Sequence, residues 1–256
     1  MSVNLATQLR EGTKKAHTNA ESTGFVKCFL KGVVEKTSYR NLVKNLYFVY
    51  SAMEEEMQRH REDRIISKIY FPELNRKQSL EQDLKFYYGA GGDEQIAPST
   101  AGSAYVHRIG DEQIAPSTAG KAYVQRIREI SEKEPELLVA HSYTRYLGDL
   151  SGGQILKKIA KTAMNLDAEG TAFYEFTDIP DEKAFKNNYR QAMNNLPIDQ
   201  ETADRIVNEA NAAFDMNMQI FRELEGNLIM AIGKLLFYTF TGKRRVVSTE
   251  LTTATE

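Results

Sequence analysis

The residues with the most chemical capacity lie in two places: around His17, and in the run Gly148-Asp149-Leu150-Ser151-Gly152-Gly153. A histidine that ligates a metal through one ring nitrogen needs the other oriented by an acceptor, and Glu21, four residues on, stands one helical turn away for that task. Arg10, seven residues before His17, falls only about 20° away around a helix axis at roughly 100° per residue, so a cation shares that face. The second run holds three glycines in six residues of a segment that reads as helical. Each costs roughly 1 kcal/mol against alanine, so something must compensate. Gly148 and Gly152 are four apart on one face, which lets another body come within backbone distance of it. Asp149 stands beside that bare strip. Two readings remain open on these residues: a small-xxx-small helix crossing with a surface aspartate, or a kinked helix laid over a flat ligand, its aspartate ordering water.

Other candidates carry a plain alternative beside the chemical one. Lys186 and Arg190, at i and i+4, read either as a solvated helix face or as a cation pair for an acidic group. Phe214 and Asn217 place an aromatic and an amide on one face, which is also ordinary core packing. Among the other histidines, His60 sits in the charged run Gln58-Arg59-His60-Arg61-Glu62-Asp63 and reads as solvated, and His141 reads as a core or capping residue.

The elements that must position these groups are helices. The six prolines, at 72, 98, 116, 135, 180 and 197, leave long uninterrupted segments. Within them apolar residues recur at helical spacing, as in Leu42, Val43, Leu46, Val49, Tyr50 and Met53, or Ile206, Val207, Ala210, Phe214, Met218 and Phe221. Starts are marked at Pro135, at Pro180-Asp181-Glu182 and at Asp199. No alternating run bounded by a two-residue turn stands out, so the chain reads as all-α. Its 256 residues suffice for a single domain over 1–242, followed by a Thr-, Ser- and charge-rich tail, 243–256, that reads as disordered. A net charge of −2 argues against a nucleic-acid binder. The lone Cys28 forms no intrachain disulfide and suggests a reducing compartment. With neither a signal peptide nor an apolar run of membrane-spanning length, the expectation is a soluble cytoplasmic protein without a membrane anchor.

Residues 92–109, GDEQIAPSTAGSAYVHRI, recur as 110–127, GDEQIAPSTAGKAYVQRI, with differences only at Ser103/Lys121 and His107/Gln125. Two copies do not make a solenoid. Doubling a surface loop costs only about 0.6 kcal/mol in closure entropy, so a fold can absorb one copy. The second copy runs on into Arg128-Glu129-Ile130 and is expected to fill the helix, with the first extruded; His107, without a counterpart, is discounted as functional.

Taken together, Thr13-Lys14-Lys15-Ala16-His17-Thr18-Asn19-Ala20-Glu21 and Tyr143-Thr144-Arg145-Tyr146-Leu147-Gly148-Asp149-Leu150-Ser151-Gly152-Gly153-Gln154 resemble the heme oxygenases, over about residues 4–225 apart from the extra repeat. Tyr70-Phe71-Pro72-Glu73-Leu74 and the polar tail are similar to the cyanobacterial form. The resemblance implies one helical domain with heme b, both substrate and cofactor, sandwiched between a proximal and a distal helix. His17 would be the proximal iron ligand, supported by Glu21. Gly148, Gly152 and Gly153 would lie against the opposite face, with Asp149 holding a water network that includes Tyr143, Arg145 and Asn217. Arg10, Lys186 and Arg190 would pair with the propionates and Phe214 would wall the pocket. The implied reaction opens heme to biliverdin, CO and ferrous iron with O₂ and reduced ferredoxin, the acidic donor meeting Lys14, Lys15, Lys157, Lys158 and Lys161. The expected state is a monomer or weak dimer. A heme-binding or heme-sensing protein with impaired catalysis is the alternative, if the repeat distorts the helix leading to the pocket; a dinuclear carboxylate oxidase lacks its paired Glu-x-x-His ligands.

Overall fold

A computed structural model describes residues 3–88, 107–109, 112–167 and 169–241, with backbone alone for 107–109, 112–113 and 226–241. The tail 243–256 and most of the first repeat copy lie outside the described residues. Ten α-helices occur among the described residues: α1 (Leu5–Gly12), α2 (Lys14–Glu21), α3 (Gly24–Leu30), α4 (Lys36–Arg59), α5 (Lys77–Tyr88), α6 (Thr118–Lys133), α7 (Leu138–Ser142), α8 (Gly148–Met164), α9 (Glu182–Asn194) and α10 (Gln200–Thr241).

The core is built on α4, whose Leu42, Leu46, Val49, Tyr50 and Met53 are buried at the three-to-four spacing expected of them. It packs against α5, α6 and α10, while α10 also runs across α1, α2, α3 and α7. On α10 the buried stripe is Ala203, Ile206, Ala210, Ala213, Ile220 and Leu224. Val207, Phe214 and Phe221 flank that stripe, half-buried. Two of the expected starts carry an aspartate cap: the Asp181 carboxylate accepts from the Ala184 amide at 2.9 Å, and Asp199 from that of Thr202 at 2.8 Å. Pro135 opens only a 3₁₀ turn, Pro135–Leu137, and α7 starts after it.

The end of the second repeat copy, from Thr118 to Ile127, forms the first part of α6, while the expected extrusion of the first copy lies outside the described residues. Ser117 caps α6, accepting from the Gly120 amide at 3.2 Å, and Tyr123, Val124 and Ile127 are buried. Gly120 is there because of a close approach: a Cβ on it would lie 2.2 Å from Asn45 Oδ1, the atom that accepts from the Ser117 amide. The junction of the copies departs from the strandless reading. β1 (His107–Ile109) pairs antiparallel with β2 (Glu112–Ile114), His107 opposite Ile114. Between them the sequence has Gly110-Asp111, a two-residue pair of the hairpin-turn kind, so a local signal was present.

Between α7 and α8 the helical path widens into a π turn, Tyr143–Leu147. Such single turns are a recognised cause of helix kinks and concentrate at functional sites.

Candidate functional site

The π turn and the start of α8 face α1 and α2 across a cleft of about 940 Å³, near the upper end of the ~300–1,000 Å³ usual for ligand sites. His17 projects from the α2 wall with its side chain 58% exposed and meets Phe214 of α10 edge-on, ring centroids 5.8 Å apart. Glu21 stands 3.7 Å from His17 Nδ1, an ion-pair separation longer than a hydrogen bond. Gly148 and Gly152 line the cleft, and a Cβ at either would meet nothing within 4 Å. The helix-crossing reading of the strip is thereby overturned, because no helix among the described residues covers it. Gly153 faces elsewhere: it is buried, and a Cβ there would touch Tyr174 at 3.4 Å.

Asp149 and Asn217 lie behind the cleft wall. The Tyr50 hydroxyl donates to Asp149 Oδ2 in a short contact, and Arg145 Nη2 stands 3.8 Å from Oδ1. Arg145 also donates to the Tyr50 oxygen (3.0 Å) and to Asn217 Oδ1 (2.6 Å). Burial pushes the Asp149 carboxyl up, outweighing the opposing pull of the guanidinium and the phenol. Tyr50 is driven far above its ordinary value, chiefly by burial, and stays a proton donor. Tyr50 was legible in sequence only as one member of an apolar stripe; its hydroxyl in that stripe was the one signal of a polar role.

Of the three expected cations, two line the cleft. Arg10 is paired with Glu11 at 2.7 Å, and Arg190 donates to Asn187 Oδ1 at 3.3 Å. Lys186 is not in the wall; its Nζ donates to the Leu150 carbonyl of α8 at 3.1 Å. Tyr143 is a wall residue whose phenol is pushed up mainly by burial. Thr144, Leu147 and Ser151 complete the distal wall, within the motif but without a role assigned from sequence. His141 is fully buried, as expected, with Nε2 3.0 Å from Glu209. His60 corrects the solvated reading: it is half-buried and bonds the buried Ser131 hydroxyl at 2.9 Å, because the charged run begins where α4 ends against α6.

These walls fit a porphyrin: an imidazole on one side, a strip without side chains on the other, and guanidinium groups beside them. The sequence profile of the Heme oxygenase family matches residues 3–113 and 110–223, two segments that meet at the repeat. Heme oxygenase 1 of Synechocystis sp. PCC 6803 is 66% identical over 255 residues, covering 100% of this chain and 99% of the relative. Heme oxygenase 1 of Nostoc sp. PCC 7120 is 67% identical over 99% of this chain and 100% of its own length. The crystal structure of the Synechocystis heme oxygenase-1 in complex with heme superposes with a TM-score of 0.83, covering 93% of this chain and 100% of that one. Heme oxygenase-2 of the same organism, solved with heme and NO, is 45% identical and gives 0.80 over 97% and 96%. By profile, identity and fold alike, the chain belongs to the heme oxygenase family.

Proposed function

We propose that this heme oxygenase holds heme iron on His17, with Glu21 orienting the imidazole, and opens the macrocycle to biliverdin, CO and ferrous iron. The observation that supports this reading is the single cleft shared by His17 and the open Gly148/Gly152 strip. Bound heme supplies the oxygen chemistry. The chain's own residues hold, orient and protonate. A neutral imidazole suits O₂ binding, where a thiolate would favour O–O cleavage. The glycine strip leaves room over the opposite face and keeps bulky side chains out of it. Asp149, its carboxyl pushed up by burial, relays protons through ordered water, while Tyr50, Arg145 and Asn217 fix its position. Tyr143 lends its phenol to the same water. Gly153 takes no part in this bed and serves the packing of α8 on Tyr174. Arg10 and Arg190, with Lys186 one turn from Arg190, meet the propionates by charge-assisted contacts and so set the ring's rotation.

Electrons come from reduced ferredoxin, an acidic donor received on Lys14, Lys15, Lys158 and Lys161; Lys157 is paired with Glu175 at 2.6 Å. The proposed enzyme is cytoplasmic and acts as a monomer or weak dimer; separately, among the described residues no helix is long and apolar enough to cross a membrane. The unbroken run of α6 from Thr118 to Lys133 supports the catalytic reading over the non-catalytic one. Purified protein given hemin, reduced ferredoxin and O₂ should lose its Soret band and gain broad red bilin absorption. A heme spectrum that persists through these additions overturns the proposal.

A further inference from the structure

We infer that Asp83 of α5 is a positioning residue for Asp149: it fastens a short strap, residues 170–176, whose aromatic side chains keep water from the back of the distal helix. Asp83 is fully buried, and its carboxylate accepts from the Ala172 amide at 2.7 Å and from the Phe173 amide at 2.9 Å. One turn further along α5, the Tyr87 hydroxyl donates to the Gly170 carbonyl at 2.8 Å. Gly170 has a φ of +84°, and a Cβ on it would stand 2.8 Å from that same hydroxyl oxygen, so only glycine lets the strap lie this close to α5. Together these bonds hold the 3₁₀ turn Ala172–Tyr174 in place.

The turn delivers its two rings to the surroundings of Asp149. Phe173, buried, meets Tyr50 edge-on with ring centroids 5.4 Å apart, and Tyr50 is the phenol that donates to Asp149. Tyr174, also buried, packs on Gly153, one turn beyond Asp149 on α8, and its carbonyl accepts from Gln154 Nε2 at 3.1 Å. Asp83 does not line the cleft and acts through the strap. The far end of the strap has its own tethers: Lys157 pairs with Glu175 at 2.6 Å, and the Arg76 guanidinium lies 4.0 Å from the centre of the Phe176 ring. Placement of Phe173 is therefore left to Asp83. Burial pushes the Asp83 carboxyl up to about 6 against the pull of the Phe173 and Ala172 amides, so above that pH the clamp is charged. Charge-assisted bonds of this kind are about twice as strong as neutral ones. Because burial is what raises the Asp149 carboxyl, a slack strap admits water behind α8 and lets that carboxyl fall toward its ordinary range. The bearing of this on catalysis rests on the proposed role of Asp149 as a proton relay.

Carboxyl-carbon NMR with isotope-labelled aspartate follows the titration of Asp149 in the full-length, heme-free protein, its signal assigned by its loss in D149N. The groups that bear on Asp149, namely Arg145, Tyr50 and Arg76, stay in place throughout. D83A should lower the Asp149 midpoint by about one pH unit or more. D83N keeps an acceptor for one amide and gives up the other, so it should lower the midpoint by less, and it decides the matter where D83A does not fold. K157M, which frees only the far end of the strap, should leave the midpoint at the wild-type value. A wild-type midpoint in D83N, or an equal shift in K157M, overturns the inference whatever either substitution does to stability. The heme-site reading fails separately, by absence of a Soret shift when hemin is added to the wild type, and that result leaves the measured midpoints standing.

Discussion

Asp149 and Glu209 are two buried carboxylates in neighbouring polar networks, each with an arginine and a tyrosine in it, and the fold tunes them in opposite directions. Glu209 receives both Arg126 contacts, at 3.0 and 2.5 Å, and His141 Nε2 at 3.0 Å. Burial pushes it up, but the His141 and Arg126 hydrogen bonds outweigh burial and bring it down to about 2. Asp149 receives only a neutral phenol directly, its guanidinium standing off at 3.8 Å, and burial wins. The same residue types thus yield one carboxylate held well below its ordinary range and one pushed above it. Only the second sits against the cleft. Environments that push paired acids apart in this way are how a fold separates a structural from a chemical role.

The sharpest way to break the comparison is to remove Glu209. E209A leaves Arg126 and the buried His141 without their acceptor; because Arg126 is 40% exposed, the loss lies at the low end of the cost of breaking a buried pair, about 3 kcal/mol. Urea unfolding should show that loss; a change below about 1 kcal/mol would place Glu209 in the same class as Asp149. The pH dependence gives the next effect. Because the folded Glu209 titrates at about 2 against an ordinary 4.5, its contribution is complete above pH 4.5 and is lost as pH falls toward 2. At ~1.4 kcal/mol per unit the total is on the order of 3 kcal/mol, read as the wild-type acid limb that E209Q flattens. Asp149 has the opposite sign: its raised folded pKa means the folded state gains, relative to the unfolded, as pH falls through that value.

D149N should consequently leave stability within about 1 kcal/mol of the wild type, since the substitution removes a group whose ionised form burial disfavours. Hemin binding should survive, while the rate of biliverdin formation falls at least about a hundredfold, the lower end of the range for a lost proton donor. A rate at the wild-type level would remove Asp149 from the proton path and leave it a second structural carboxylate.

What was legible in the chain divides along the same line. Helical periodicity placed α4 and α10, and Asp181 and Asp199 marked starts that their caps fulfil, because these are local effects carried by neighbouring residues. The motif containing Gly148 and Gly152 announced a bare strip for the same reason. Arg145, four residues before Asp149, was legible as a partner, but Tyr50 was not: it comes from a helix about a hundred positions earlier, and only tertiary packing brings its hydroxyl to the carboxylate. Nor does spacing show which way a side chain leaves its helix, and this separates Lys186, turned to a carbonyl, from Arg190 in the cleft wall, though they share one helix face. Gly153, adjacent to Gly152, shows the same limit: one step along the helix turns it from the cleft to Tyr174.

The smallest effect concerns the glycine beside each network. Gly120, on the turn of α6 that precedes Tyr123 and Arg126, has no room for a methyl group; Gly148, next to Asp149, has nothing within 4 Å of where one would go. Packing therefore explains the first glycine and leaves the second unexplained by the free protein. In a helix with open space alongside, alanine should stabilise by about 0.5–1 kcal/mol, mainly through the unfolded chain's lower entropy. G148A should raise the melting temperature of the free protein by a few degrees at about 2–4 °C per kcal/mol. The same methyl projects into the cleft, so hemin affinity should fall as stability rises. That opposition is the signature of a residue kept small for a ligand, and a G148A protein that gained in stability and bound hemin more tightly would show that the strip beside Asp149 is not the ligand's bed.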